Sequence, residues 1–154
     1  MKKPTKKYSL VRDRGVSLIE VMVSVLILSI GLLGIAAMQA TALRNTQSSL
    51  ERTQAVIYSY SILDSMRANV DDARADLYNV NWTCAAITPT NLVTRDISDW
   101  ISGLRTSSGL KDACGRISCA ANDVCTVEVR WNDSRGTGDA TLLASQTIST
   151  VSRL

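Results

Sequence analysis

The stretch that decides the fold runs from Arg14 to Leu43 and reads RGVSLIEVMVSVLILSIGLLGIAAMQATAL. Its last 23 residues, from Val21 onward, contain no charged side chain. A helix of about 20 apolar residues is long enough to cross the hydrocarbon core of a bilayer. A cleaved secretory signal has a shorter apolar core, of about 7–15 residues, followed by a small-residue cleavage site. The stretch therefore predicts a membrane-spanning helix and not a conventional signal peptide.

Charge is distributed unevenly on the two sides of this stretch. Residues 1–15 carry six basic side chains and one acidic side chain, whereas the other 139 residues carry 11 basic and 13 acidic ones. Under the positive-inside rule the basic leader stays in the cytoplasm and the chain after the helix is exported. The slight acidic excess of the exported part argues against a nucleic-acid-binding domain. The sequence contains no His, which argues against most hydrolases and zinc sites.

The candidate functional residue of this stretch is Glu20, because a carboxylate inside an apolar helix is costly. Its context, Arg14 to Glu20, resembles the type III signal of type IV prepilins: a basic leader ending in Gly, a cleavage point, a hydrophobic helix, and a glutamate five residues after the cut. The resemblance implies that prepilin peptidase cuts between Gly15 and Val16 and that residues 1–15 are a removed cytoplasmic leader. It also implies N-methylation of the new amine of Val16, although many relatives begin with Phe or Met.

The same resemblance implies a role for the Glu20 carboxylate in assembly. In a filament core without water, an unpaired cationic N terminus and an unpaired carboxylate would both be expensive. Pairing of the Val16 amine of one subunit with Glu20 of a neighbour satisfies both groups and sets the axial register. Such a buried pair contributes more to specificity than to net stability.

The helix is predicted to continue beyond the membrane to about Ala73, since no proline interrupts it. Residues 16–43 then form the transmembrane or filament-core half, and residues 44–74 form an amphipathic exported half. Gly31 and Gly34 are interpreted as sites of close helix packing in preference to a functional kink. Apart from a longer first gap, apolar residues recur every three to four positions and are predicted to face the exported domain: Leu50, Val56 or Ile57, Tyr60, Leu63, Met66 and Val70. The opposite, polar face is predicted to contain Glu51, Arg52, Gln54, Ser59 and Asp64.

Residues 75–154 are predicted to form the periplasmic globular region. Residues 75–95 are interpreted as a loop, and residues 96–105 as a short helix with Asp96 at or before its first turn. Residues 125–131 alternate as a strand does, a turn follows over residues 132–138, and residues 142–151 offer another strand. The prediction is an α+β, pilin-like fold in which one long N-terminal helix packs on a small antiparallel β-sheet of three strands. The tryptophans are predicted to belong to the core: Trp82, Trp100 and Trp131.

All four cysteines lie in the part predicted to be exported, where an oxidising compartment favours disulfides. Three pairings are possible. Cys119 and Cys125 flank five residues and could close a hairpin, which leaves Cys84 to pair with Cys114. A four-cysteine metal site is disfavoured because the sequence has no CxxC pair.

Within the pilin superfamily, the sequence most resembles the minor pilins of the PilV type. The matching stretches are Val16–Met38 and Glu51–Asn69, with weaker likeness over Asp96–Trp100 and Val127–Asp133. The resemblance implies a non-catalytic minor pilin that joins other minor pilins in a tip complex priming the major pilin. It implies prepilin peptidase and the inner-membrane assembly machinery as partners, and contact with inner-membrane lipid. The acidic excess of the exported part predicts no nucleic-acid partner, and no cofactor is expected. The expected location is the inner membrane with a periplasmic C terminus, and then the cell-surface pilus.

Two other functions remain open at this point. A type II secretion pseudopilin has the same leader, helix and glutamate, and an adhesive or DNA-receptor pilin is the second alternative, although DNA uptake would favour a basic stripe. Neither Asp71, Asp72 and Asp76 nor Asp133 and Asp139 have the ligand spacing of a calcium-binding EF-hand loop. Asp96 and Asp99 are interpreted as surface charges, so no catalytic residue and no metal site are predicted.

Overall fold

A computed structural model describes residues 15–107, 110–120, 123–134 and 145–154. The helices are α1 (Leu18–Ala68), α2 (Val70–Arg74) and α3 (Leu92–Thr106), and the strands are β1 (Val80–Thr83), β2 (Cys114–Ala120), β3 (Val124–Asn132) and β4 (Ser145–Arg153). Residues 1–14 of the predicted leader (residues 1–15), most of the predicted turn and the start of the last predicted strand lie outside the described residues. The chain divides after Ala40 into two compact units.

The described part of the first unit consists mainly of the start of α1. Helix α1 contains no proline and continues without interruption through Gly31 and Gly34. A Cβ added at either glycine would have nothing within 4 Å, apart from the adjacent helix backbone. Every residue from Gly15 to Gln47 is exposed, so this part of the helix buries no side chain within its own chain.

In the second unit, α1 buries a different face from the one predicted. Leu63 and Met66 are buried as expected, but Leu50, Ile57 and Tyr60 are about half exposed. In this part of α1 the buried residues are Glu51, Ala55, Ser59, Ile62, Leu63 and Met66. The first three of them have small or polar side chains. The predicted polar face is therefore wrong for Glu51 and Ser59.

The burial of Ser59 has a local explanation. Its hydroxyl donates to the carbonyl oxygen of Ala55 at 2.8 Å, so the side chain enters the core without an unsatisfied polar group. Together with Ala55, it presents a low-volume surface that allows close approach of the helix to its neighbours. Helical periodicity alone does not distinguish this small-residue face from the larger apolar stripe beside it.

Within the described ranges, the sheet is antiparallel and has four strands in the order β1-β2-β3-β4, not the predicted three. The additional strand is β1, which lies within the segment predicted to be a loop. The backbone N–H of Cys119 donates to the side-chain oxygen of Asn79 at 2.6 Å, which holds the start of β1 against β2. The fold class is confirmed as α+β, with one long N-terminal helix packed on a small antiparallel sheet. The alternation predicted for β3 is also confirmed, because the predicted inner residues are all buried: Cys125, Val127, Val129 and Trp131.

Helix α3 begins at Leu92, four residues earlier than predicted, because Asn91 and Thr94 form a reciprocal cap. The Thr94 N–H donates to Oδ1 of Asn91 at 2.9 Å, and the Asn91 N–H donates to Oγ1 of Thr94 at 3.0 Å. Asp96 is therefore not the cap. The apolar face of α3 is buried as predicted, over Ile97, Trp100, Ile101 and Leu104.

The three tryptophans have different environments. Trp100 and Trp131 are buried in the core, but Trp82 is partly exposed, so its predicted core position is wrong. The guanidinium carbon of Arg130 lies 4.4 Å from the centre of a Trp82 ring, in a cation–π contact on the outer face of the sheet. The Trp100 ring lies against Gly115, where an added Cβ would be 2.4 Å from a ring carbon.

Candidate assembly site at the start of helix α1

The first turn of α1 brings together the residues that the sequence singles out. The N–H groups of Glu20 and Val21 donate to the carbonyl oxygen of Ser17 at 3.0 and 3.3 Å. Gly15 and Val16 precede the helix and are exposed. The bond predicted to be cleaved therefore lies outside the helix, and Glu20 lies within its first turn.

The Glu20 side chain is exposed in a neighbourhood that is otherwise apolar. Leu18, Ile19 and Val21 are between 52% and 77% exposed. A carboxylate in the first turn is favoured by the helix dipole, but in an environment without water it also requires a cation. Among the described residues, no ion pair involves Glu20. The geometry is that of a carboxylate available to a cationic partner.

The apolar surface around Glu20 continues along α1. By length and composition, α1 contains a segment able to cross a membrane, and none of that segment is buried by the rest of the chain. Burial of apolar surface stabilises by about 25 cal/mol per Å². Lipid or other subunits must supply that burial, which indicates membrane anchoring.

Two disulfides are formed in the second unit, and their pairing is the one that the sequence analysis favours. Cys84–Cys114 joins residues 30 positions apart and ties the segment after β1 to the start of β2. Cys119–Cys125 joins residues that lie directly opposite each other on β2 and β3. The Arg105 guanidinium donates to the carbonyl oxygen of Cys84 at 2.6 Å, which further fixes the segment after β1.

Two buried carboxylates in the second unit were missed by sequence reasoning. Glu51 is fully buried and Asp133 is 1% exposed. The Gln47 amide donates to Glu51 at 3.5 Å, and the Ser48 hydroxyl donates to Asp133 at 2.7 Å. The Ser48–Asp133 contact joins α1 to the residue that follows β3, over a sequence separation that no local pattern reveals.

Asp72, one of the other acidic residues considered as calcium ligands, makes a contact within the fold. The Asn69 amide donates to Asp72 at 2.8 Å, next to the break between α1 and α2. Asp139 lies outside the described residues. Within the described ranges, no group of three or more His, Cys, Asp or Glu side chains is arranged to hold a metal ion.

Asp96, which the sequence analysis interprets as a surface charge, is partly buried. It accepts a hydrogen bond from the hydroxyl of Tyr78, a fully buried residue. Burial, reinforced by that hydrogen bond, raises the pKa of Tyr78 to about 12. Asp96 and Asp99 also line a cavity of about 200 Å³ between α1 and α3.

Comparison with known proteins identifies the N-terminal region. Residues 10–36 match the family model described as the prokaryotic N-terminal methylation motif. The match includes Gly15, Val16 and Glu20. No curated protein and no solved structure matches the chain.

The motif and the fold support the same class of protein. The motif is prepilin-type and supports a type IV pilin or pseudopilin, a class whose members are structural and not catalytic. It implies processing by prepilin peptidase and handling by the pilus machinery. The long apolar helix and the small antiparallel sheet are the pilin-like arrangement of that class.

Proposed function

We propose that the protein is a minor pilin that joins other minor pilins in a tip complex priming type IV pilus assembly, and that it has no catalytic activity. The observation that carries the proposal is the methylation motif opening directly into α1, with Glu20 in the first helical turn. A helix that exposes its apolar surface along its first half needs other subunits once it leaves the lipid.

In this proposal, processing creates the assembly site. Prepilin peptidase cuts between Gly15 and Val16, the leader is removed, and the new amine of Val16 is N-methylated. That cation then pairs with the Glu20 carboxylate of a neighbouring subunit. This contact between subunits sets the axial register of the neighbouring helices. The exposed position of both residues on an uncovered apolar surface supports this role.

The proposal also assigns a location to each segment of the chain before and after assembly. Residues 16–43 anchor the subunit in the inner membrane and later enter the filament core, whereas residues 44–74 and the globular region 75–154 stay on the periplasmic side. The finished subunit is then part of a cell-surface pilus, in contact with other minor pilins and the major pilin. The two disulfides suit the oxidising periplasm.

An intact mass of the protein from the membrane of a piliated cell tests the processing step. We expect the mass of residues 16–154 with one added methyl group, lower by four hydrogens before reduction than after it. A mass that starts at Met1 would contradict cleavage and the Val16–Glu20 pairing. A peptide map of the unreduced protein that links Cys84 to Cys119 would contradict the disulfide pairing.

The Glu20→Ala variant tests assembly. Because Glu20 belongs to the first unit and its side chain is exposed, we expect the unfolding midpoint of the second unit to stay unchanged while the subunit is lost from sheared surface filaments. Ser24→Ala, one turn further along the same exposed helix, is the matched control and should assemble normally. Normal incorporation of Glu20→Ala would contradict the proposed role.

A type II secretion pseudopilin is the alternative that the motif supports equally. Deletion of the gene separates the two functions. Loss of surface pili with normal protein secretion supports the minor pilin. Loss of secretion with normal pili would assign the protein to the secretion machinery.

A further inference from the structure

The two edges of the sheet differ in their protection. Natural proteins protect edges by short strands, bulges, proline or lysine. β1 has four residues and a register shift, and the Cys84–Cys114 disulfide lies just beyond it. β4 has nine residues in an uninterrupted register, contains no proline or lysine, and carries Arg153 as its one charge. Among the described residues, no strand pairs with its outer side.

The backbone groups on the outer side of β4 follow from its register. The N–H of Leu154 donates to the carbonyl oxygen of Asp123 at 2.9 Å, so this pair is directly hydrogen-bonded. Hydrogen-bonded and non-hydrogen-bonded pairs alternate in an antiparallel ladder. Every second residue from Leu154 backward therefore directs its backbone N–H and C=O groups toward β3. The residues between them direct their N–H and C=O groups outward: Ser145, Thr147, Ser149, Val151 and Arg153.

β4 runs alongside the second half of α1, in the same chain direction. Arg52 donates to Gln146 at 2.9 Å, and Arg67 donates to Ser152 at 2.7 Å. The step between the two arginines spans about 22 Å along a helix, and the step between their partners spans about 20 Å along a strand. The two contacts therefore fix the direction of β4 relative to α1.

We infer that the outer edge of β4 pairs with an extended strand of a different subunit of the same assembly, which continues the antiparallel sheet. Only a second strand supplies N–H and C=O groups at the matching spacing. The inference rests on the proposed function, because it requires a neighbour anchored in the same membrane.

For an antiparallel partner strand, the direction of β4 decides against the β4 strand of a second copy of this chain. Two β4 strands paired antiparallel would require their α1 helices to run in opposite directions, whereas chains anchored through N-terminal helices leave one membrane in the same direction. The β1 strand of a second copy has the right direction but offers only four residues with a shifted register. The partner strand therefore belongs to another protein and runs opposite to its own long helix.

The exposed side chains beside this edge indicate the partner's composition. Val151 is 62% exposed, and Arg153 lies two residues further on the same face. Cross-strand pairs favour a β-branched or aromatic residue near Val151 and a carboxylate near Arg153. A partner strand with one acidic residue near an end fits this edge.

The Ser149→Pro variant tests the inference. Proline removes an outward N–H without removing a bond to β3, and edge strands tolerate it on that side. Ser149→Ala is the matched control, because it removes the hydroxyl but keeps the N–H. Each full-length variant is co-expressed with every other protein of the source cell that has the N-terminal methylation motif, one at a time. Complexes are then recovered in detergent. We expect about tenfold less partner with Ser149→Pro and no change with Ser149→Ala, as one lost backbone pairing site implies.

Amide hydrogen exchange keeps the test independent of folding. In the isolated full-length chain, the Thr147 and Ser149 amides should exchange rapidly and those of Ile148 and Thr150 slowly; in the complex, all four should exchange slowly. Unchanged partner recovery with Ser149→Pro, or fast Ser149 exchange in the complex, would overturn the inference. Recovery of a tagged second copy that is lost with Ser149→Pro would also overturn it. If Glu20→Ala still blocks assembly in those cases, the proposed function stands and only the strand pairing fails.

Discussion

The two halves of α1 belong to one helix but have different surroundings. The residues from Leu18 to Ala40 are all exposed, and most of them are large and apolar. From Glu51 onward, the helix buries one face of small, polar and apolar residues in the core of the second unit. The first half thus depends on lipid or other subunits for its burial, whereas the second half obtains it from its own chain.

This difference separates stability from assembly. A substitution in the second half changes contacts that exist in the isolated chain, so it should change the free energy of unfolding. A substitution in the first half removes contacts that exist only with lipid or a neighbour, so it should change assembly alone. Matched substitutions in the two halves test this division.

The largest effect is expected for Leu63→Ala. Leu63 is fully buried in the core, and leucine-to-alanine changes at such sites cost about 2–5 kcal/mol. We expect a loss of about 4 kcal/mol in the free energy of unfolding, measured with denaturant on the full chain in detergent. Leu33→Ala is the control, because Leu33 is 72% exposed and should leave the unfolding of the second unit unchanged. Equal destabilisation by both variants would contradict the comparison.

The second-largest effect is expected for Tyr78, which lies near the end of α1. The side-chain amide of Asn69, the residue after α1, lies 3.4 Å from the Tyr78 hydroxyl. Because folding raises the pKa of Tyr78 from its ordinary value of 10 to about 12, the neutral hydroxyl stabilises the fold below pH 10. That contribution is lost as the pH rises from 10 to 12, and a shift of this size corresponds to a free-energy change on the order of 2 kcal/mol. Unfolding measured at pH 9 and at pH 11.5 should show the decrease.

The Tyr78→Phe variant is the control for that pH dependence. It removes the titrating hydroxyl and its bond to Asp96, so it should be less stable near neutral pH and lose less stability at alkaline pH. A decrease of the same size in Tyr78→Phe would mean that other groups cause it.

The exposed apolar half of α1 and the strand β3 could both be predicted from the sequence. The 23 uncharged residues and Glu20 predict the exposed apolar helix, and the alternation from Cys125 to Trp131 predicts a strand with one buried face. Both are local, repetitive signals whose period matches one type of secondary structure.

The remaining features depend on contacts between distant residues. β1 is short and begins after Asn79, and it forms through pairing with β2 and not through its own composition. The buried face of α1 is determined by what packs on it, since Ser48 reaches Asp133 across 85 positions. The cap of α3 could have been recognised, because Asn91 and Thr94 have capping-box spacing, but Thr replaces the usual Glu or Gln.

The smallest effect is expected for Ile57→Ser, which tests where the comparison stops. Ile57 belongs to the second half of α1 but is 59% exposed and faces away from the core. A surface substitution of this kind should change the free energy of unfolding by less than about 0.5 kcal/mol. If this outward stripe is covered in the filament, the same variant should reduce incorporation into sheared pili, as a first-half substitution would. An unchanged stability with normal incorporation would limit the dependence on partners to the first half of the helix. A large loss of stability would show that Ile57 is buried by its own chain.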